Sequence, residues 1–241
     1  YSYFPLYTVV IGGKDMDHLE NRHSFAAVIG DIKDSRHLNN RKEVQDRLQR
    51  VMDRLNRKYE EDIVSKFLIT LGDEFQGLLY GGKNILSMIN EIKIEMYPVR
   101  LRFGVGIGPI TTDIQTEMAL GADGPGYYRA REAIEVLKER EKKNRSVPAD
   151  LCLKMDETDR GKEVLLNTVF DLMYAVESGW TARQREIIWD MLAYGDVQQN
   201  TAVRLSISQP TVQKALAAGN YYTYENALKN AAEILGEIQY D

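Results

Sequence analysis

The sequence predicts an α/β unit built on an antiparallel sheet with helices on one face, followed by an all-α unit with a helix-turn-helix. Three observations predict it. Short apolar runs of strand length alternate with amphipathic helices over residues 24–156. Two of those runs flank Gly72-Asp73-Glu74, a hairpin signal. From about Trp180 onward only helical patterns occur. At ~150 residues per domain, 241 residues allow one large domain or two small ones. The expected boundaries are an N-terminal arm over 1–23, a sheet domain over 24–156, a helical connector over 157–178 and a helical domain over 179–241.

The first element is Ser24–Asp31, a short apolar run ending in Gly-Asp, which reads as a buried strand with a carboxylate at its tip. From about Asn40 to Tyr59, Val44, Leu48, Val51, Leu55 and Tyr59 step along one helical face. Val64–Leu71 and Phe75–Tyr80 are the two strands of the hairpin, and Gly81-Gly82 ends the second. Lys83–Met96 is a helix with Ile85, Leu86, Ile89, Ile92 and Met96 inward. After Pro98, Val99, Leu101, Phe103, Val105 and Ile107 alternate with Arg and Gly, as in a strand. Gly124-Pro125-Gly126 breaks the chain before a helix over Tyr127–Lys143 with a basic end. Leu151–Met155 fits an edge strand, and Thr158–Glu177 fits a helix. The segment Tyr3–Ile11 reads equally as an added strand or a free arm.

Composition excludes several classes. Thirty-one Lys and Arg against 36 Asp and Glu give a net charge of −5, unlike a protein that coats nucleic acid by bulk charge. The single cysteine, Cys152, closes no intramolecular disulfide, which favours a cytoplasmic setting. Three histidines and one cysteine leave no material for a zinc cluster. No apolar run reaches the ~20 residues of a membrane span, and the start lacks the pattern of a signal peptide.

Two acids stand out. Asp31 and Asp73 each follow a glycine at the end of an apolar run. Strand pairing that sets the first strand beside the hairpin brings both carboxylates to one sheet edge. Their mutual repulsion is relieved by Mg²⁺ or Mn²⁺, with the Ile32 carbonyl as a further oxygen ligand and Glu74 as a ligand or base-positioning group. The competing reading is that Gly-Asp-Glu is an ordinary turn and Asp31 a loop cap. Gly104, Gly106 and Gly108 interrupt the neighbouring strand, and such glycines mark close approach of a ligand or of backbone. Lys33, Ser35 and Arg36 form a candidate phosphate loop, with a solvated turn as the alternative for all three and the favoured one for Arg36. Around Asp123, the loop either closes over a ligand with Tyr127 or Tyr128 stacked on a base, or is only the turn before a helix.

These motifs carry a resemblance. TLGDEFQG is similar to the GGDEF hairpin of diguanylate cyclases and to the palm of nucleotidyl cyclases and polymerases. LRFGVGIG takes the place of the following strand, and ADGPGYYRAREAI resembles the later motif in which an AD dipeptide leads to a helix with Tyr-x-Ala-Lys. The resemblance implies a ferredoxin-like palm, with Asp31, Asp73 and Glu74 as catalytic acids, Asp31, Ile32 and Asp73 at the metal, and Arg131 in place of a phosphate-contacting lysine. The candidate nucleotide-binding set is Lys33, Ser35, Gly72, Asp123 and Arg131, of which the resemblance itself implies Arg131, and the expected ligand is a purine nucleoside triphosphate or cyclic nucleotide. Two departures are plain: Leu71 replaces the first glycine, and IKDSRHLNN replaces the guanine-reading stretch. IGDIKDSR, ITLGDEFQGLL, RFGVGIGPITT, ADGPGYYRARE and SQPTVQKAL together resemble the SatD family of bacterial proteins over most of residues 24–241.

The stretch Val197–Ala217 has the pattern of a helix-turn-helix. Ala202, Val203 and Leu205 would pack from its first helix, Ile207 fills the turn, and Val212 and Leu216 hold the second helix, which Ser208 caps. Gln209, Thr211, Gln213 and Lys214 are then left for base edges and phosphates. The alternative is a small bundle for protein contacts. Residues 178–241 hold five Lys and Arg against seven Asp and Glu, so a monomer should bind DNA weakly, and a homodimer is expected. Three functions remain open: a regulator coupling a metal–nucleotide site to DNA reading, a Mg²⁺-dependent nucleotidyl cyclase or nucleotidyltransferase, and an inactive scaffold.

Overall fold

The computed structural model describes residues 25–35, 40–70, 72–117, 119, 123–143 and 149–238. The expected N-terminal arm and Arg36 lie outside them. The chain runs β1 (Phe25–Ile32), α1 (Arg41–Lys58), β2 (Ile63–Ile69), β3 (Glu74–Leu79), α2 (Ile85–Met96), β4 (Leu101–Gly108), α3 (Pro125–Lys142) and β5 (Leu151–Lys154). After a 3₁₀ turn come α4 (Arg160–Ser178), α5 (Ala182–Tyr194), α6 (Gln198–Arg204), α7 (Gln209–Ala218) and α8 (Tyr221–Gly236).

The sheet order is β2-β3-β1-β4-β5. The first four strands pair antiparallel, while β5 runs parallel to β4 at the edge. The parallel pair follows from connectivity, since α3 carries the chain back across the sheet between them. The central strand β1 is buried along all eight residues. Its even-numbered Ala26, Val28 and Ile32 face the main core with α1 and α2; its odd-numbered Ala27 and Ile29 face α3. Helices therefore cover both faces, which corrects the expectation of helices on one face. The reason is that β1 is apolar on both sides and a one-sided layer would leave half of it wet.

Helix α1 buries Leu48, Val51, Met52 and Leu55, close to the expected face. Helix α2 buries the five expected residues and Met88. The glycines of β4 have a structural explanation. A Cβ at Gly104 would lie 2.3 Å from the Ala130 carbonyl oxygen, and one at Gly106 would lie 2.1 Å from the Gly126 carbonyl oxygen. The partner in close approach is the backbone of α3.

The C-terminal helices pack into two cores. Leu166 and Phe170 of α4 and Ala231 and Leu235 of α8 join the main core under the sheet. Met173 of α4 and Tyr224 of α8 join a second core with Trp180, Ile187, Ile188, Met191, Val212 and Leu216. The Trp180 indole donates to the Gly219 carbonyl at 2.7 Å. Thr181 starts α5 with a capping box closed by Gln184.

Replacing Gly106 by Ala pushes a methyl group into helix backbone, which cannot rotate away. Gly106→Ala should cost about 3 kcal/mol of unfolding free energy in urea denaturation. Gly161→Ala, where nothing lies within 4 Å, should leave stability unchanged or raise it by up to about 1 kcal/mol.

Candidate functional site

The tip of β1 carries the candidate acid Asp31, and strand register decides what it meets. Asp31 stands opposite Glu74 on β3 and opposite Arg102 on β4. Side chains directly opposite each other share a face, so the acid brought beside Asp31 is Glu74. Asp73 lies one position further out; its carbonyl accepts from the Ile32 amide at 3.0 Å, and its carboxylate accepts from the buried Ser35 hydroxyl. The Ile32 side chain sits in the main core. Gly72 has φ +69, and its carbonyl accepts from the Gln45 amide at 2.7 Å. The Thr70 amide closes the hairpin on the Glu74 carbonyl at 2.8 Å.

Asp31 is buried and held by two cations. Arg102 Nη1 donates to Oδ1 at 2.8 Å, and Lys138 Nζ lies 3.4 Å from Oδ2. Arg102 also binds Glu141 through Nε at 2.9 Å, and Lys33 Nζ meets Glu141 at 2.6 Å. Burial by itself would raise the Glu141 carboxyl; hydrogen bonds from Arg102 and Lys33 outweigh it and hold it below the ordinary carboxylate range. Among the described residues no three His, Cys, Asp or Glu side chains come together as a metal-ion ligand set. Mg²⁺ or Mn²⁺ does not fit here, because a guanidinium and an ammonium already compensate Asp31 and would repel a further positive charge.

The other members of the expected nucleotide set are not gathered at this tip. Arg131 is exposed on α3. The α3 residue that reaches Asp31 is Lys138, seven positions or about 10 Å further along the helix. Asp123 lies just before the opposite end of α3: it accepts from the Gly124 amide at 3.0 Å and the Tyr128 hydroxyl at 2.8 Å. That loop packs beside Gly108, which pairs with Phe25 at the far end of β1, about 20 Å from Asp31 at strand spacing. Tyr127 is buried in the core between the sheet and α3, the structural reading of the pair, while Tyr128 is exposed.

A second charged group was not expected. Lys93 of α2 bridges Asp150, before β5, at 2.7 Å and Glu177 of α4 at 2.6 Å. Arg185 of α5 donates to Glu177 Oε1 at 3.1 Å and to the Glu177 carbonyl at 2.9 Å. Burial would lower the Lys93 ammonium, but the charges of Asp150 and Glu177 outweigh it and hold it well above its ordinary range. Each of these residues reads in sequence as the polar side of an amphipathic element. Only Glu177, one of the last residues of its helix, hinted at a junction.

In the helical unit, Gln209, Thr211, Gln213 and Lys214 are all exposed on α7, and Val212 and Leu216 are fully buried. At 3.6 residues per turn, Lys214 projects opposite that anchor, Thr211 lies on one flank, and Gln213 and Gln209 lie on the other, Gln209 nearer the anchor. Gln209 donates to Gln198 of α6 at 2.9 Å. Val203 corrects the expectation: it is 74% exposed, and Thr201 is buried instead, donating to Asp190 at 2.7 Å. Ser208 does occupy the N-cap position, but its hydroxyl meets that of Thr211 at 2.8 Å and caps no backbone amide.

Removing Arg102 leaves Asp31 and Glu141 facing each other without their shared guanidinium. Arg102→Met should cost about 3 kcal/mol at pH 7, read by urea denaturation. Because the folded Glu141 carboxyl is lowered, its contribution is present above the ordinary range near ~4.3 and is lost as pH falls through the lowered value. The gap between wild type and variant should therefore narrow in acid below that range; a gap independent of pH would contradict the pairing.

No curated protein matches the sequence. The crystal structure of a regulator of polyketide synthase expression from Bifidobacterium adolescentis is similar at 13% identity and a TM-score of 0.28, over 90% of this chain and 86% of that one. The SatD family model matches residues 25–235, nearly all of the sheet unit and the helices after it. The chain belongs to the SatD family.

Proposed function

We propose that this chain is a cytoplasmic, homodimeric regulator that reads duplex DNA with α7, and that its sheet unit supports this role without transferring nucleotides. The observation that carries the reading is α7 itself. A ten-residue helix is anchored on one side by Val212 and Leu216 and presents Gln209, Thr211, Gln213 and Lys214 to solvent. It follows α6 after a short turn in which Ser206 takes φ +52. A helix so mounted suits the major groove, which is about 12 Å wide. Lys214, projecting furthest from the anchor, suits a phosphate, and the glutamines on the flank suit adenine edges. No helix among the described residues is long and apolar enough to cross a membrane.

The charge of the helical unit argues for a dimer. Arg204 is fully engaged by Asp190 and Asp196 and adds little to a basic surface. With so few free cations, one copy neutralises few phosphates, and a dimer doubles them. The sheet unit is assigned no catalytic step because its candidate acid is already paired with Arg102 and Lys138.

Selection from random duplexes, followed by gel shifts at two salt concentrations, tests the proposal. The full chain should enrich a two-fold symmetric site. Lys214→Ala should weaken all duplexes alike and reduce the salt slope by about 1 per copy. Gln213→Ala should relax preference at one position of each half-site. Absence of any retarded duplex at low salt would overturn the reading.

A further inference from the structure

The junction between the sheet unit and the C-terminal helices encloses a cavity of about 120 Å³. Four cations line it, Lys33, Lys93, Arg100 and Arg185, against two carboxylates, Asp150 and Glu177. Lys93 is saturated by those two acids. The other three cations are not. Arg185, 15% exposed at its side chain, directs two of its five N–H groups to Glu177 and has no other acceptor among the described residues. Among the described residues Lys33, 6% exposed at its side chain, meets Glu141 and the face of the Tyr174 ring, 5.7 Å from its centroid, and acts by charge on Asp150. Among the described residues Arg100, 71% exposed, has a loose contact with Asp34 at 3.8 Å.

The walls are aromatic. Arg185 lies 5.5 Å from the Tyr97 centroid and 5.2 Å from that of Trp189, which holds its guanidinium in place at low local dielectric. Tyr174, a further lining residue, is half-buried, and burial pushes its hydroxyl above the ordinary range, so it stays a protonated donor at neutral pH. The cavity is partly open to solvent and has room for a tetrahedral oxyanion.

We infer that this cavity binds a phosphoryl oxyanion, bridging Lys33 and Arg100 of the sheet unit to Arg185 of α5. An excess of lining cations and N–H groups of Arg185 that Glu177 does not use favour the same ligand chemistry. Arg100 is exposed at this cavity, so it can meet a phosphoryl group whose remainder stays in solvent. The ligand touches both units, which places it where it stiffens their junction. The inference rests on the cavity and does not depend on DNA reading by α7.

Titration calorimetry of the full chain without DNA tests it, with inorganic phosphate and phenyl phosphate as probes at matched ionic strength. One saturable site per chain is expected for at least one probe; binding of phenyl phosphate alone would assign the ligand as a phosphomonoester, and binding of phosphate alone as the free ion. Arg100→Gln, at an exposed position that leaves the fold intact, should weaken binding about tenfold, and Lys33→Gln should weaken it as well. Lys214→Ala should bind like wild type. The inference fails if neither probe saturates, if Arg100→Gln binds as tightly as wild type, or if Lys214→Ala abolishes binding and so moves the anion to α7.

Discussion

The backbone of α3 lies against β4 at a separation that admits no side chain at Gly104 or Gly106. Both ionic clusters of the sheet unit depend on this contact. It fixes the height and direction of α3, so that Lys138 and Glu141, about two to three turns beyond Ala130, arrive over the tip of β1. It also returns the chain to the same edge of the sheet, where β5 pairs parallel to β4 and sets Asp150 beside Lys93. A side chain at either glycine would lift α3 and loosen the ionic contacts at both places together.

Those contacts form a nearly continuous chain of charge. It runs from Asp31 through Arg102 and Glu141 to Lys33, and from Asp150 through Lys93 and Glu177 to Arg185. Buried ion pairs contribute modestly to net stability, because desolvation offsets most of the attraction. Their effect is on geometry, since a misplaced partner would leave a buried charge unpaired. Asp31 illustrates the consequence for function. A carboxylate flanked by Glu74 alone would attract a cation; the guanidinium of Arg102 on the opposite neighbouring strand fulfils that role instead.

Much of the fold was legible because its signals are local. The run SFAAVIGD and the face of α1 each depend on residues within a turn or two of one another. The site was less legible because it depends on pairings across the chain. Spacing showed that Asp31 and the Gly72-Asp73-Glu74 turn would be neighbours, but only the register sets Glu74 opposite Asp31. Arg131 and Lys138 lie on nearly the same side of α3, so periodicity does not distinguish them; the crossing point of the helix on β4 does. Val203 misled for a related reason. Its helix is seven residues long, and so short a period leaves the inward direction undetermined until Thr201 finds Asp190.

The same packing bears on how the two units communicate. Helices α4 and α8 each contribute to both hydrophobic cores, Phe170 and Leu235 beneath the sheet, Met173 and Tyr224 around Trp180. A shared helix transmits rotation as well as translation, because its two faces are committed to different neighbours. Tyr224 adds a polar connection, its hydroxyl lying 3.2 Å from the Glu177 carboxylate that Lys93 and Arg185 also hold. Any change in how Glu177 is shared therefore acts at the place where α4 ends, α5 begins and α8 crosses. Since α7 packs directly on α5 and α8, its orientation relative to the sheet is set at that junction.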